Sequence, residues 1–129
     1  MSFIEQWLHD AVPALVGSEW RKGQQSFAVD NPATGETIAR VAEMGADDTR
    51  DAVAAAYEAG AAWRATPVKQ RSALLRRWFE LIIEHADDLA RLMTLEQGKP
   101  LAEAKGEVTY GASFIEFFAE EAKRMAGET

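Results

Sequence analysis

The sequence predicts an α+β chain that is predominantly helical, with N-terminal β-hairpins followed by three or four helices. Three observations predict it. Of the 129 residues 47% are hydrophobic, but that fraction holds 24 alanines against 12 valines and isoleucines together, a weighting toward the strongest helix former. The apolar spacing changes near Ala46 from strand-like to helical. Turn residues punctuate the periodic runs at Gly17-Ser18, Asn31 to Gly35, Thr66-Pro67 and Gly98 to Pro100.

Residues 1–46 read as a leading helix and a strand part, and residues 47–129 as a helical part. Phe3, Ile4, Trp7, Leu8 and Ala11 recur at helical spacing, so a short helix from Ser2 to about Ala11 is expected, stopped by Pro13. Ala14 to Val16 and Glu19 to Lys22 flank Gly17-Ser18, a turn pair joining two short strands. Gln25 to Val29 and Thr37 to Ala42 flank Asn31-Pro-Ala-Thr-Gly35, where proline fixes one turn position and glycine supplies a positive φ. A second hairpin follows.

Asp47 or Asp48 caps the next helix, which carries Val53, Ala56, Tyr57, Gly60 and Trp63 on one face and stops near Ala65. Thr66-Pro67 supplies a cap and a first-turn proline for a helix whose stripe is Leu74, Leu75, Trp78, Phe79, Ile82 and Ile83. Asp87 or Asp88 restarts the chain as a helix with Leu89, Leu92, Met93 and Leu95, closed by Gly98 and Pro100. The last helix, from about Leu101 to Met125, sets Ala104, Val108, Gly111, Ile115, Phe118, Ala122 and Met125 on one face. Tyr110, Phe114 and Phe117 fall on the adjoining one. Two apolar faces exceed the single stripe a surface helix normally shows, so something beyond a three-helix packing is expected to cover the second.

Charge and composition exclude several functions. A formal −7 is the wrong sign for a nucleic-acid surface or an anionic membrane, so neither partner is expected. No basic leader or spanning run opens the chain, which makes the cytosol the expected compartment. Zero cysteines remove disulfides and any cysteine nucleophile from this stretch.

His9 and His85 lie in helical segments with no nucleophile context and read as ordinary helix residues. Gly106 to Gly111 has the outer spacing of a phosphate loop, but Ala112-Ser113 stands where Lys and Ser or Thr are needed. No GxGxxG occurs. The carboxylate pairs Glu103/Glu107 and Glu116/Glu120 sit among lysines and arginines and read as helix solvation. Glu96 is different. It falls in the last turn before Gly98, where helix carbonyls already concentrate negative charge, and a cation or basic group nearby would relieve it.

Asn31-Pro-Ala-Thr-Gly-Glu36, Ala62-Trp63-Arg64, Arg71, Leu74-Leu75-Arg76 and Leu95-Glu-Gln-Gly-Lys-Pro-Leu101, in this order and spacing, resemble the N-terminal segment of the aldehyde dehydrogenases. Glu103-Ala-Lys-Gly-Glu107 and Ser113-Phe-Ile-Glu-Phe-Phe-Ala-Glu-Glu121 are most similar to the succinate-semialdehyde dehydrogenases of that family. The resemblance covers nearly the whole chain. It implies NAD(P)-dependent oxidation of an aldehyde to a carboxylate through a cysteine thioester, in a homo-oligomeric enzyme of which this chain is an N-terminal portion of an α/β fold.

By the same resemblance the catalytic Cys and Glu, the oxyanion Asn and the cofactor-binding Lys lie downstream, so this chain holds no catalytic or cofactor-binding residue and is expected to be inactive alone. Its partners would be the remainder of the enzyme and a small aldehyde. Two sets of residues carry over: Val29, Asp30 and Glu96 as ligands of a monovalent cation, and Gly106, Glu107 and Tyr110 as part of the lining of a substrate tunnel. A second reading is a free-standing acidic helical interaction module without catalysis.

Overall fold

A computed structural model describes residues 11–124. The expected leading helix lies outside them except at Ala11, which belongs to a strand. Five short strands come first: β1 (Ala11–Val12), β2 (Ala14–Val16), β3 (Glu19–Arg21), β4 (Gln25–Asp30) and β5 (Thr37–Glu43). β2 and β3 form one antiparallel hairpin with Val16 opposite Glu19. In the other sheet β5 is central, antiparallel to β4 and parallel to β1, in the order β1-β5-β4.

The β4–β5 turn is built as its sequence requires. The Asn31 side-chain oxygen accepts from the Ala33 N–H at 2.9 Å, and the Asn31 carbonyl accepts from the Gly35 N–H at 2.8 Å. Gly35 takes a φ of 73°, which a side chain would resist.

Four helices follow: α1 (Ala46–Ala65), α2 (Val68–Glu84), α3 (Ala86–Gln97) and α4 (Leu101–Glu121), the last tightening into a 3-10 turn at Ala122–Arg124. Gly45, not an aspartate, occupies the cap position of α1, and Asp48 reaches back to accept from its N–H at 3.1 Å. Thr66 also serves a different end than its sequence suggests. Its hydroxyl and N–H both donate to the Ala62 carbonyl and so close α1, while Pro67 takes the cap of α2. Gly98 closes α3 at a φ of 70° with its N–H on the Thr94 carbonyl, as the sequence predicts.

α2, α3 and α4 form a bundle whose centre is small. Ala90, Ala104 and Val108 are buried together, with Ile82, Ala86, Leu89 and Met93 packed around them. The buried face of α4 is Ala104, Val108, Ala112 and Ala119. The expected face named Gly111 and Phe118, one position away; Phe118 is exposed, because Ala104, Ala112 and Ala119, seven or eight residues apart on one face, let the helices approach more closely than phenylalanine could.

α1 departs further from expectation. Its Val53 and Tyr57 face solvent, Tyr57 at 84% exposure. The opposite face meets the β2–β3 hairpin: Arg21 donates to Asp51 at 2.7 Å, and a Cβ at Gly17 would stand 3.4 Å from that of Ala55.

Candidate functional site

The feature with the most chemistry is a groove between α3 and α4, floored by α2. About 540 Å³ in volume, it is walled by Leu89, Leu92 and Met93 on α3 and by Val108, Ala112 and Ile115 on α4, with Ile82 beneath. Two carboxylates line it, Glu96 from the last turn of α3 and Glu107 from the second turn of α4. Such a volume and lining fall in the range of ordinary binding clefts.

The two carboxylates differ electrostatically. Glu107 is held by the ammonium of Lys99, which stands in the turn between α3 and α4 and is only 23% exposed. Glu96 has no ion pair or side-chain hydrogen bond among the described residues, and no basic residue lies in the last turn of α3. Its negative charge therefore adds to that of the helix terminus. Lys99 escaped the sequence reading because its partner is eight residues away and the intervening turn hides the spacing.

The three expected tunnel residues separate. Glu107 lines the groove, whereas Gly106 and Tyr110 share the outward stripe of α4 with Phe114. Tyr110 is 66% exposed, and its ring meets that of Phe114 edge to face at 4.9 Å. Phe117 and Phe118 continue the aromatic surface, again edge to face, at 5.3 Å.

The three expected cation ligands come from two elements that do approach each other. A Cβ at Gly98 would stand 3.2 Å from Cγ of Pro32, so the β4–β5 turn rests on the end of α3 two residues after Glu96. The Asp30 carboxylate accepts from the Thr37 hydroxyl at 2.7 Å through one of its two oxygens. No group of three or more His, Asp or Glu side chains suited to a metal occurs among the described residues.

The phosphate-loop spacing at Gly106 to Gly111 lies inside α4, whose interior N–H groups are committed to the helix, so it makes no cofactor cradle. No described helix is long and apolar enough to cross a membrane.

A model of the aldehyde dehydrogenase family matches residues 20–129. The chain is 62% identical over 118 residues to a glutarate-semialdehyde dehydrogenase of Pseudomonas putida, covering 90% of this chain and 25% of that protein. It is 58% identical over 118 residues to a succinate-semialdehyde dehydrogenase of Escherichia coli whose name specifies NADP(+), covering 90% and 24%. The crystal structure of an NADP-dependent enzyme of E. coli superposes with a TM-score of 0.87 at 56% identity, over 93% of this chain and 25% of that one. An NAD+ complex of an aldehyde dehydrogenase from Bacillus cereus gives 0.90 at 27% identity, over 98% and 27%. The chain thus spans about a quarter of the length of the relatives it matches.

Proposed function

The chain belongs to the aldehyde dehydrogenase family, and from that premise we propose that it is the N-terminal portion of an enzyme that oxidises succinate semialdehyde, or a related aldehyde, to the carboxylate with NAD(P)+. The observation that carries the reading is identity near 60% to semialdehyde dehydrogenases across nine-tenths of the chain. The apolar rows left open on α2 and α4 support a supporting role within a larger body.

In this role the chain contributes shape rather than reacting groups. Gly106 and Tyr110 offer one wall to a substrate passage, the glycine leaving room and the tyrosine an edge. Lys99 fixes Glu107 beside that wall and offsets its charge, which would otherwise repel a substrate bearing a carboxylate. A monovalent cation shared by the Val29 and Asp30 carbonyls and Glu96 would tie the β4–β5 turn to α3; the contact of Pro32 with Gly98 supports it. NAD(P)+ supplies the hydride acceptor when bound, and the residues that hold it lie outside those described. The cytosol and a homo-oligomeric parent go with this reading.

A second substrate, glutarate semialdehyde, is favoured by the P. putida relative at 62% identity. Both readings share an aldehyde at one end and a carboxylate at the other. The test combines the purified chain with the E. coli relative lacking its own 118 matched residues. Neither component alone should reduce NADP+, and the mixture should do so with succinate semialdehyde far faster than with butanal. Turnover by the chain alone, or an assembled but inactive mixture, contradicts the proposal; a preference for the five-carbon semialdehyde decides for the second substrate.

A further inference from the structure

The lining of the α3–α4 groove holds three polar side chains, Glu96, Gln97 and Glu107, and among the described residues only Glu107 has a side-chain partner, Lys99. Sequence distance does not favour that pairing. Glu96 stands three residues before Lys99 and Glu103 four after it, yet the ammonium goes to Glu107, eight residues on. The backbone directs it there. Gly98 precedes Lys99 at a φ of 70° and Pro100 follows it as the cap of α4, so Lys99 is held between a left-handed residue and a proline that confines its neighbour to extended conformations.

The contact that braces Gly98 comes from another element. Pro32 lies against it, with Cγ 3.2 Å from where a Cβ would stand. Pro32 is itself held in the β4–β5 turn, where Asn31 accepts from the N–H groups of Ala33 and Gly35 and donates its own to the Glu36 carbonyl at 2.9 Å. An unbroken run of contacts thus leads from the turn, through Gly98 and Lys99, to the second turn of α4. We propose that Lys99 is a positioning residue, aimed by Pro32, that sets α4 and its Gly106–Tyr110 stripe against the end of α3. Without its ammonium, the half-buried Glu107 would carry an uncompensated charge beside aliphatic walls, and α4 would have to turn to return it to water. The stripe's part in a substrate passage rests on the function proposed above; the path from Pro32 to Glu107 does not.

The path is tested in the 129-residue chain by nuclear magnetic resonance. The ammonium protons of Lys99 should exchange more slowly than those of the exposed Lys69. Pro32→Ala should remove that protection. Thr34→Val, which deletes the hydroxyl accepting from the Glu36 N–H at 3.2 Å in the same turn but leaves Pro32 in place, should keep it. Lys99→Gln should shift the amides of Gly106 and Tyr110, and adding Glu107→Gln should return them, because no charge then needs compensation.

The consequence for substrate is tested in a full-length hybrid in which this chain replaces the 118 matched residues of the E. coli relative. Lys99→Gln should raise KM about tenfold for succinate semialdehyde and for butanal alike, with kcat changed less than about twofold, and Glu107→Gln should recover most of the loss. A rise confined to the semialdehyde would make Lys99 a charge screen and overturn the inference. So would protection unmoved by Pro32→Ala, equal loss in Thr34→Val, or no recovery on adding Glu107→Gln. A hybrid without turnover counts against the proposed function, while the amide and ammonium signals still decide the positioning path.

Discussion

Gly98 sits where two constraints meet. Its φ of 70° is costly for any residue with a Cβ, and that atom would press on Pro32 at 3.2 Å. Gly98→Ala should therefore lower the unfolding free energy by about 1–2 kcal/mol, read from urea denaturation. Gly23 is constrained differently. A Cβ there would lie 2.6 Å from the Glu43 carbonyl oxygen and 2.8 Å from that of Gln25, both backbone atoms with no side-chain freedom to yield. Gly23→Ala should cost about 1–3 kcal/mol and perturb the amide shifts of β4 and β5; an unchanged midpoint would show that the strands separate more easily than their register implies.

Within the helices, size at the contact decides more than polarity at the surface. Ala104, Ala112 and Ala119 are buried where α4 meets its neighbours, so Ala112→Leu should destabilise by about 1–3 kcal/mol through overpacking. Phe117→Ser, on the exposed row, should change the stability of the chain by less than about 0.5 kcal/mol. An equal loss in the two variants would mean that the outer row is already covered. The ion pairs between helices matter less: Arg76 with Glu116 at 2.6 Å and Lys105 with Asp87 at 2.7 Å are solvent-exposed and worth about 1 kcal/mol at most.

These contacts also explain what could be read from sequence. Both hairpins and the helix starts after Ala46 were legible to within two or three residues, because turn chemistry at Gly17-Ser18, Asn31 to Gly35 and Gly98 is local; the end of the last helix was not, since α4 gives way to a 3-10 turn after Glu121 rather than running to Met125. The faces of α1 and α4 were not. Hydropathy ranks Tyr57 and Phe118 as core, but which face is buried depends on which neighbour is present, and alanine pairs outcompete phenylalanine where helices draw close. Glu96 and Glu107 were legible singly; their convergence on one groove needed the fold.

At the scale of the whole molecule, the large apolar side chains lie outside and the small ones inside. No large side chain is fully buried among the described residues, while Trp78, Leu74, Tyr110, Phe114, Phe117 and Phe118 are exposed. The chain presents 9492 Å² of surface, where a compact folded chain of its mass would present about 6,800 Å². Surface of this kind is what a permanent interface removes. The isolated chain should accordingly bind a hydrophobic dye and self-associate weakly at high concentration, which fluorescence and sedimentation would both detect.

The most direct measurement is calorimetric titration of the chain into the E. coli relative lacking its matched 118 residues, with dye fluorescence followed in parallel. A one-to-one complex with a negative heat-capacity change and loss of dye binding is the predicted result. If the two remain separate, and the chain stays a dye-free monomer, the account of it as one portion of a larger dehydrogenase is contradicted.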